Sequence, residues 1–183
     1  NQMTTSLARL LGYLVSEGSI TDERIRFSNS NCEVIDDFVN CVEDVFGVDI
    51  RNRIKPRINK KTKVVTYEIT LWWKGAIEFI KELGLSTGYS KDKEIPKAIL
   101  QSPKQFVIDF LKAYFEGDGH VSRFVYCASA SKTLIKQIQL LLLNLGIVSS
   151  FKTKRIAEKE YYFLFMTGDN ARSFINQIGF VSK

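Results

Sequence analysis

The sequence predicts an α+β protein in which one unit is written twice. Matching segments recur in the same order, apolar residues repeat with helical period up to glycine stops, and the stretches between them alternate polar with apolar. ARLLGYLVSEGSI resembles FLKAYFEGDGHV, which sets Glu17 and Asp118 101 residues apart. VEDVFGVDI parallels LLLLNLGIVSS, with Gly47 and Gly146 99 apart. GAIEFIKELGL parallels ARSFINQIGF, with Gly84 and Gly179 95 apart. Three landmarks in order, with slowly drifting spacing, indicate a tandem duplication.

The elements follow in the same order in each half. A helix (5–17; 103–118) leads to a strand (24–30; 122–129) and an amphipathic helix (32–46; 131–145). Two strands come next (48–58 and 63–72; 147–156 and 160–167), then a last helix (74–83; 169–178). Ile35, Phe38, Val39, Val42, Val45 and Phe46 lie on one helical face. Gly47, Gly84, Gly146 and Gly179 stand at C-terminal cap positions. Pro96 and Pro103 mark a polar connector with one short helical turn, so the expected units are 1–88, a linker at 89–102, and 103–183.

Composition narrows the function classes. The chain of 183 residues is 45% hydrophobic and 25% charged, as soluble globular proteins are. Its apolar runs are too short for a bilayer and no secretory signal opens it, so an intracellular protein is expected. Asn1 in the leading position suggests an excised or truncated piece. Cys32, Cys41 and Cys127 form no CxxC pair, and one histidine is too few for a zinc site or a His-based triad. A net charge of +6 is compatible with nucleic acid, and where that charge sits matters more.

The helices ending in acid-Gly carry the chemistry. Ala8, Gly12 and Ser16 make a stripe of small residues on one helix, and Ala113 and Gly117 do so on the other. Such stripes let two helix backbones approach closely, so the duplicated helices are expected to pack on each other about a pseudo-twofold axis. That packing places Glu17 and Asp118 side by side. Two acids at the negative ends of two helix dipoles repel each other, which protonation of one acid or a divalent cation relieves. Mg²⁺ suits carboxylate, water and phosphate oxygens, and the arrangement fits metal-assisted phosphodiester hydrolysis. Glu116 points about 200° around the helix from Asp118, away from that site.

LLGYLVSEG (10–18) and LKAYFEGDG (111–119) resemble the paired signature of the LAGLIDADG homing endonucleases, in the form with two motifs in one chain. The repeat pattern spans nearly the whole sequence. The resemblance implies an αββαββα fold per repeat, with the motif helices at the interface and two sheets forming a DNA-binding saddle. It makes Glu17 and Asp118 the metal-binding catalytic acids, sharing two or three Mg²⁺ ions with help from the backbone of Ser16 and Gly117. Ser16 and Val15 depart from the usual motif, which often has Ala and a second acid there. KDKEIPKAI also resembles the lysine-containing block of the intein-encoded branch. There Lys93 would sit by the scissile phosphate, polarising water or stabilising transition-state charge. The corresponding lysine of the second repeat has only Lys183 as a candidate.

Basic residues gather where a DNA-binding sheet needs them. Residues 51–63 hold seven basic residues and no acid. Arg51, Arg53, Lys55 and Arg57 are expected on one strand face, with Lys60 and Lys61 following. Arg24, Arg26 and Ser28 fall on the polar phase of the first strand, and Thr66, Glu68 and Thr70 on the same surface. Arg123, Ser129, Lys152, Lys154 and Arg155 are the fainter counterparts in the second repeat. A β-ribbon of this kind fits the major groove, and two unlike ribbons imply an asymmetric double-stranded target read by a monomer. Pro56 predicts an edge strand or a bulge. His120 reads as an exposed turn residue, and Trp72, Trp73, Tyr161, Tyr162, Phe163 and Phe165 as sheet core against the helices.

The leading expectation is a site-specific endonuclease serving intron or intein mobility. The chain has no leading Cys or Ser, no TxxH and no terminal His-Asn, so it is not expected to splice itself. The alternatives are a non-cleaving relative, either an intron RNA-splicing maturase or a DNA-binding regulator, and a protein with no nucleic-acid partner. The presence of both acids favours cutting, and the charge distribution argues against the last.

Overall fold

A computed structural model describes residues 2–85 and 88–182. The first repeat runs α1 (Thr5–Ser16), β1 (Ser19–Ile20), β2 (Ile25–Asn29), α2 (Cys32–Phe46), β3 (Lys55–Ile58), β4 (Val65–Leu71) and α3 (Lys74–Glu82). A connector carries a 3₁₀ turn (Ser90–Asp92) and α4 (Lys97–Leu100). The second repeat runs α5 (Lys104–Asp118), β5 (Gly119–Val121), β6 (Val125–Ser129), α6 (Lys132–Asn144), β7 (Ser150–Ile156), β8 (Lys159–Met166) and α7 (Gly168–Gln177). Each repeat is therefore αββαββα. Each contains a four-stranded antiparallel sheet, ordered β1-β2-β4-β3 and β5-β6-β8-β7.

α1 and α5 form the centre. From Leu7 to Ser16, every residue of α1 except Arg9 is buried, as a helix packed on all sides must be. Thr4 caps it, its hydroxyl accepting from the Leu7 amide at 3.2 Å. α2 and α6 are amphipathic and lie under the sheets, α2 burying Val34, Ile35, Phe38, Val39 and Val42. Phe27 from β2 stacks on Phe38 at 4.2 Å between ring centroids. Gly47, Gly84, Gly146 and Gly179 all have positive φ at the helix ends where the sequence placed them.

The first basic segment departs from the expected long strand. Asp49 Oδ1 accepts from the Arg51 amide at 2.9 Å, and residues Arg51–Arg53 coil into a 3₁₀ turn. β3 then begins only at Lys55 and forms the edge that Pro56 implied. Among the described residues no helix is long and apolar enough to cross a membrane.

Candidate active site and nucleic-acid interface

The acids meet because the helices do. A Cβ on Gly12 would lie 2.4 Å from the Phe110 carbonyl oxygen and 2.9 Å from the Ala113 Cβ. One on Gly117 would lie 2.5 Å from Ser16 Oγ and 2.8 Å from Glu17 Cγ. The small-residue stripes thus allow a backbone approach that any side chain would block, and Ala8 and Ala113 are fully buried beside it. α1 ends at Ser16 with Glu17 as its cap, and α5 ends at Asp118.

Lys93 reaches into this end of the pair. Its ammonium donates to the carbonyls of Val15 at 2.7 Å, Ser16 at 2.8 Å and Gly18 at 3.3 Å, so it caps α1. The connector holds it there, because the buried Ser131 hydroxyl donates to the Lys93 carbonyl at 2.6 Å. The Ile95 amide donates to Gln137 Oε1 at 2.8 Å. The Ser16 carbonyl, expected to face a metal, is thereby engaged with the lysine and keeps one free lone pair.

Charge is unbalanced at this point. Burial pushes the Asp118 carboxyl up to about 7, with Lys93 opposing and Glu17 adding to the rise. Burial also raises Glu17, against a hydrogen bond from Asn29 that lowers it. Burial lowers Lys93, while the two carboxylates oppose that. The buried Tyr114 hydroxyl beside Asp118 makes no hydrogen bond of good geometry among the described residues. Two carboxylates facing one ammonium lack positive charge, which fits a divalent cation. No group of three or more His, Cys, Asp or Glu side chains forms a metal site among the described residues. The protein therefore offers two carboxylates and helix-end carbonyls, leaving positions for water and phosphate, as Mg²⁺ prefers.

Asn29 is a site residue that sequence reasoning missed. Its Nδ2 donates to Glu17 Oε2 at 2.6 Å and orients the carboxylate. The available signal was a polar residue on the apolar phase of Ile25 and Phe27. The sequence points Glu116 away from the site; its carboxylate accepts from the amides of Val181 at 2.7 Å and Ser182 at 3.1 Å, yet its charge adds to the rise of Glu17. Lys183 lies outside the described residues.

On the first sheet the register fixes a polar outer face. Arg26 opposes Thr70, Ser28 and Lys55 oppose Glu68, and Arg57 opposes Thr66, so all project to one side. Arg24 and Arg53 line the same hollow, together with Trp72, which is 60% exposed. Glu68 pairs with Arg57 at 3.4 Å and lies 4.0 Å from Arg26. Lys60 and Lys61 are exposed in the turn between β3 and β4.

Several expected placements need correction. Arg51 leaves this face: its guanidinium bonds Asn40, Glu43 and Asp49 at 2.6, 2.8 and 3.0 Å, because the 3₁₀ turn breaks the alternation. On the second sheet Lys152 and Lys154 share the outer face, opposite Phe163 and Tyr161, and Arg155 lies on the other phase opposite Glu160. Ser129 opposes Tyr162 on the inward phase, where its hydroxyl accepts from the Ser131 amide at 3.1 Å. Arg123 is exposed in the turn before β6. Trp73 packs on Phe46, and Trp73 and Tyr162 each lie against the core, as expected. Trp72, Tyr161, Phe163 and Phe165 do not, because their strand positions turn outward. His120 is exposed in β5, its ring 5.1 Å from Tyr126.

Comparison with known proteins gives this geometry a family context. The sequence profile described as a LAGLIDADG-like domain matches residues 4–84 and 105–179. The replication factor C small subunit of Methanocaldococcus jannaschii is 32% identical over 180 residues, covering 95% of this chain and 9% of that protein. The same subunit of Thermococcus kodakarensis is 30% identical, with 95% and 19% covered. The replicative DNA helicase DnaB of Synechocystis is 27% identical, with 95% and 22% covered. The chain thus spans less than a quarter of the length of these relatives. Among solved structures, I-DmoI in complex with DNA and Ca superposes with a TM-score of 0.69 at 15% identity, covering 95% of this chain and 88% of that one. The homing endonuclease I-WcaI bound to its DNA recognition sequence gives 0.65 at 14% identity, covering 97% and 82%.

Proposed function

The chain belongs to the LAGLIDADG family, and from that premise we propose that it is a site-specific endonuclease making a double-strand break in a long, asymmetric DNA target. The observation that carries this is the meeting of Glu17 and Asp118 at one end of the α1–α5 pair, with Lys93 beside both. In this reading 1–88 and 103–183 each take one half-site, 89–102 connects them, and one chain suffices.

Glu17 and Asp118 would hold Mg²⁺, two or three ions between them, with the Ser16 and Gly117 carbonyls at the helix ends. Bound there, the cation lowers the pKa of water and offsets charge on the scissile phosphate. Asn29 fixes the Glu17 carboxylate. Lys93 spends its three N–H groups on the Val15, Ser16 and Gly18 carbonyls, so it would act on charge developing at the phosphate as a fixed, partly dehydrated positive charge rather than as a hydrogen-bond donor. The outer faces of the sheets hold the duplex on either side as a saddle, the first through Arg24, Arg26, Arg53, Lys55 and Arg57.

The relatives bear on the biological setting. They carry the names of DNA replication proteins, and nearly all of this chain matches a small part of each. A self-contained segment carried in unlike hosts is what an intein-borne mobility enzyme predicts. DNA-bound solved relatives support the DNA partner, and their Ca and Mn complexes support a divalent cation.

Selection from a randomised duplex library in Mg²⁺ tests the proposal. The wild type is expected to bind and cut a long site, while Glu17→Gln and Asp118→Asn bind it and lose at least about a hundredfold in cleavage. Binding without any nicking by the wild type would leave a non-cleaving regulator or maturase as the reading.

A further inference from the structure

The two outer sheet faces occupy matched positions but differ in chemistry. Both registers can be laid over each other, with the Arg26↔Thr70 pair matching Tyr126↔Phe165 and the Lys55↔Glu68 pair matching Lys152↔Phe163. The edge cations persist, since Lys152 and Lys154 stand where Lys55 and Arg57 do. Every other member of the face changes. Arg26, Glu68 and Thr70 give way to Tyr126, Phe163 and Phe165, and Phe124 lies with them in one shallow hollow, as Arg24 does on the first sheet. The rings form a continuous patch: Tyr126 and Phe165 are 5.5 Å apart, Phe163 and Phe165 6.0 Å, Phe124 and Phe165 5.5 Å. The Lys152 ammonium lies 5.2 Å from the Phe165 centroid, so the patch is bordered by charge that suits a phosphate strand.

We infer that the second sheet reads its half-site by apolar contact with thymine 5-methyl groups in the major groove of duplex DNA. This rests on the endonuclease reading and supplies a specificity mechanism for one half of it. The occupant follows from the position of the patch, which continues the basic surface at matched rungs and keeps its phosphate-facing lysines. It also follows from what aromatic rings cannot do. Phenylalanine offers no hydrogen bond to a base edge, so a base pair presenting only polar groups would be dehydrated without compensation. Among base pairs only A·T presents an apolar group, the thymine methyl, in the major groove. The first sheet, with Arg26 and Arg57 on its outer face, has the donors to read base edges and phosphates directly.

The test uses the wild-type chain and a site selected on it. Thymines are replaced by deoxyuridine in one half-site at a time, which removes the methyl and leaves every Watson–Crick and polar major-groove group. Affinity is expected to fall about fourfold per buried methyl for one half only. In Phe163→Ser and Phe165→Thr, checked for folding by circular dichroism, the same replacement should change affinity less than twofold. Equal response of both halves, or none in either, overturns the inference while leaving duplex cleavage intact. Tighter binding to single strands than to duplex also overturns it, because the rings would then be stacking on bases. Absence of duplex binding overturns both this and the endonuclease reading.

Discussion

Asp118 gives up water when α5 closes on α1, and its carboxyl rises to about 7 in consequence. A carboxyl raised in the folded state binds its proton more tightly there than in the unfolded chain. Its contribution therefore favours folding below the ordinary aspartate range and is progressively lost as pH climbs from there through about 7. Metal-free wild type is expected to melt at a lower temperature at pH 8 than at pH 5.5, with Asp118→Asn narrowing that gap and Mg²⁺ restoring the wild type at pH 8. Thermal melts at both pH values decide it, and an Asp118→Asn curve parallel to wild type would count against the burial argument. Asn29 acts at the same scale through Glu17. Asn29→Ala is expected to lower cleavage about 10–100-fold, with affinity for the selected duplex within about twofold. Single-turnover cleavage and gel-shift titration separate the two effects. The acids were legible as residues because each ends a motif, whereas Asn29 carries no charge and its contact comes only with the fold.

At the scale of elements, the α1–α5 contact sets the position of everything at the site. Gly12→Ala would drive a methyl to 2.4 Å from the Phe110 carbonyl oxygen, a backbone atom that moves only if the helices separate. A loss of about 1–3 kcal/mol is expected in urea unfolding, together with reduced cleavage as Glu17 and Asp118 part. Unchanged stability would show that the pair tolerates separation. The small-residue stripe announced this contact in advance. What the pattern did not announce is the polar brace at the other end. There Arg9 bonds Asp37 at 2.9 Å, the Tyr13 hydroxyl donates to Asp37 at 2.7 Å, and the Thr5 hydroxyl donates to the buried Asp109 at 2.9 Å. These groups come from three helices, and nothing local in any one of them encodes the meeting.

For the whole molecule, the division of charge between the sheets has a measurable consequence. Each cation that neutralises a phosphate contributes about one unit to the slope of log affinity against log salt. Lys55→Gln and Arg57→Gln are each expected to reduce that slope by about one. Arg51→Gln should leave it unchanged, because its guanidinium is committed to Asn40, Glu43 and Asp49. Fluorescence titrations across a salt series measure all three, and an equal effect of Arg51 would return it to the DNA-facing surface.

Apart from the short strands β1 and β5, which periodicity did not reveal, the order of elements could be read from the chain alone, as could the duplication, the glycine stops, the two acids and the close approach of their helices. All of these are written in local periodicity and in comparison of one half with the other. Tertiary structure decided which way the ribbons face. Asp49 captures the Arg51 amide and turns Arg51 out of the basic run, and both phases of 161–166 are apolar, so alternation could not say that Phe163 and Phe165 turn outward. It also decided that Lys93 would reach carbonyls more than seventy positions earlier in the chain, held there by Ser131 from the opposite repeat. Periodicity records how a segment meets its nearest layer, whereas such contacts depend on where separate segments come to rest.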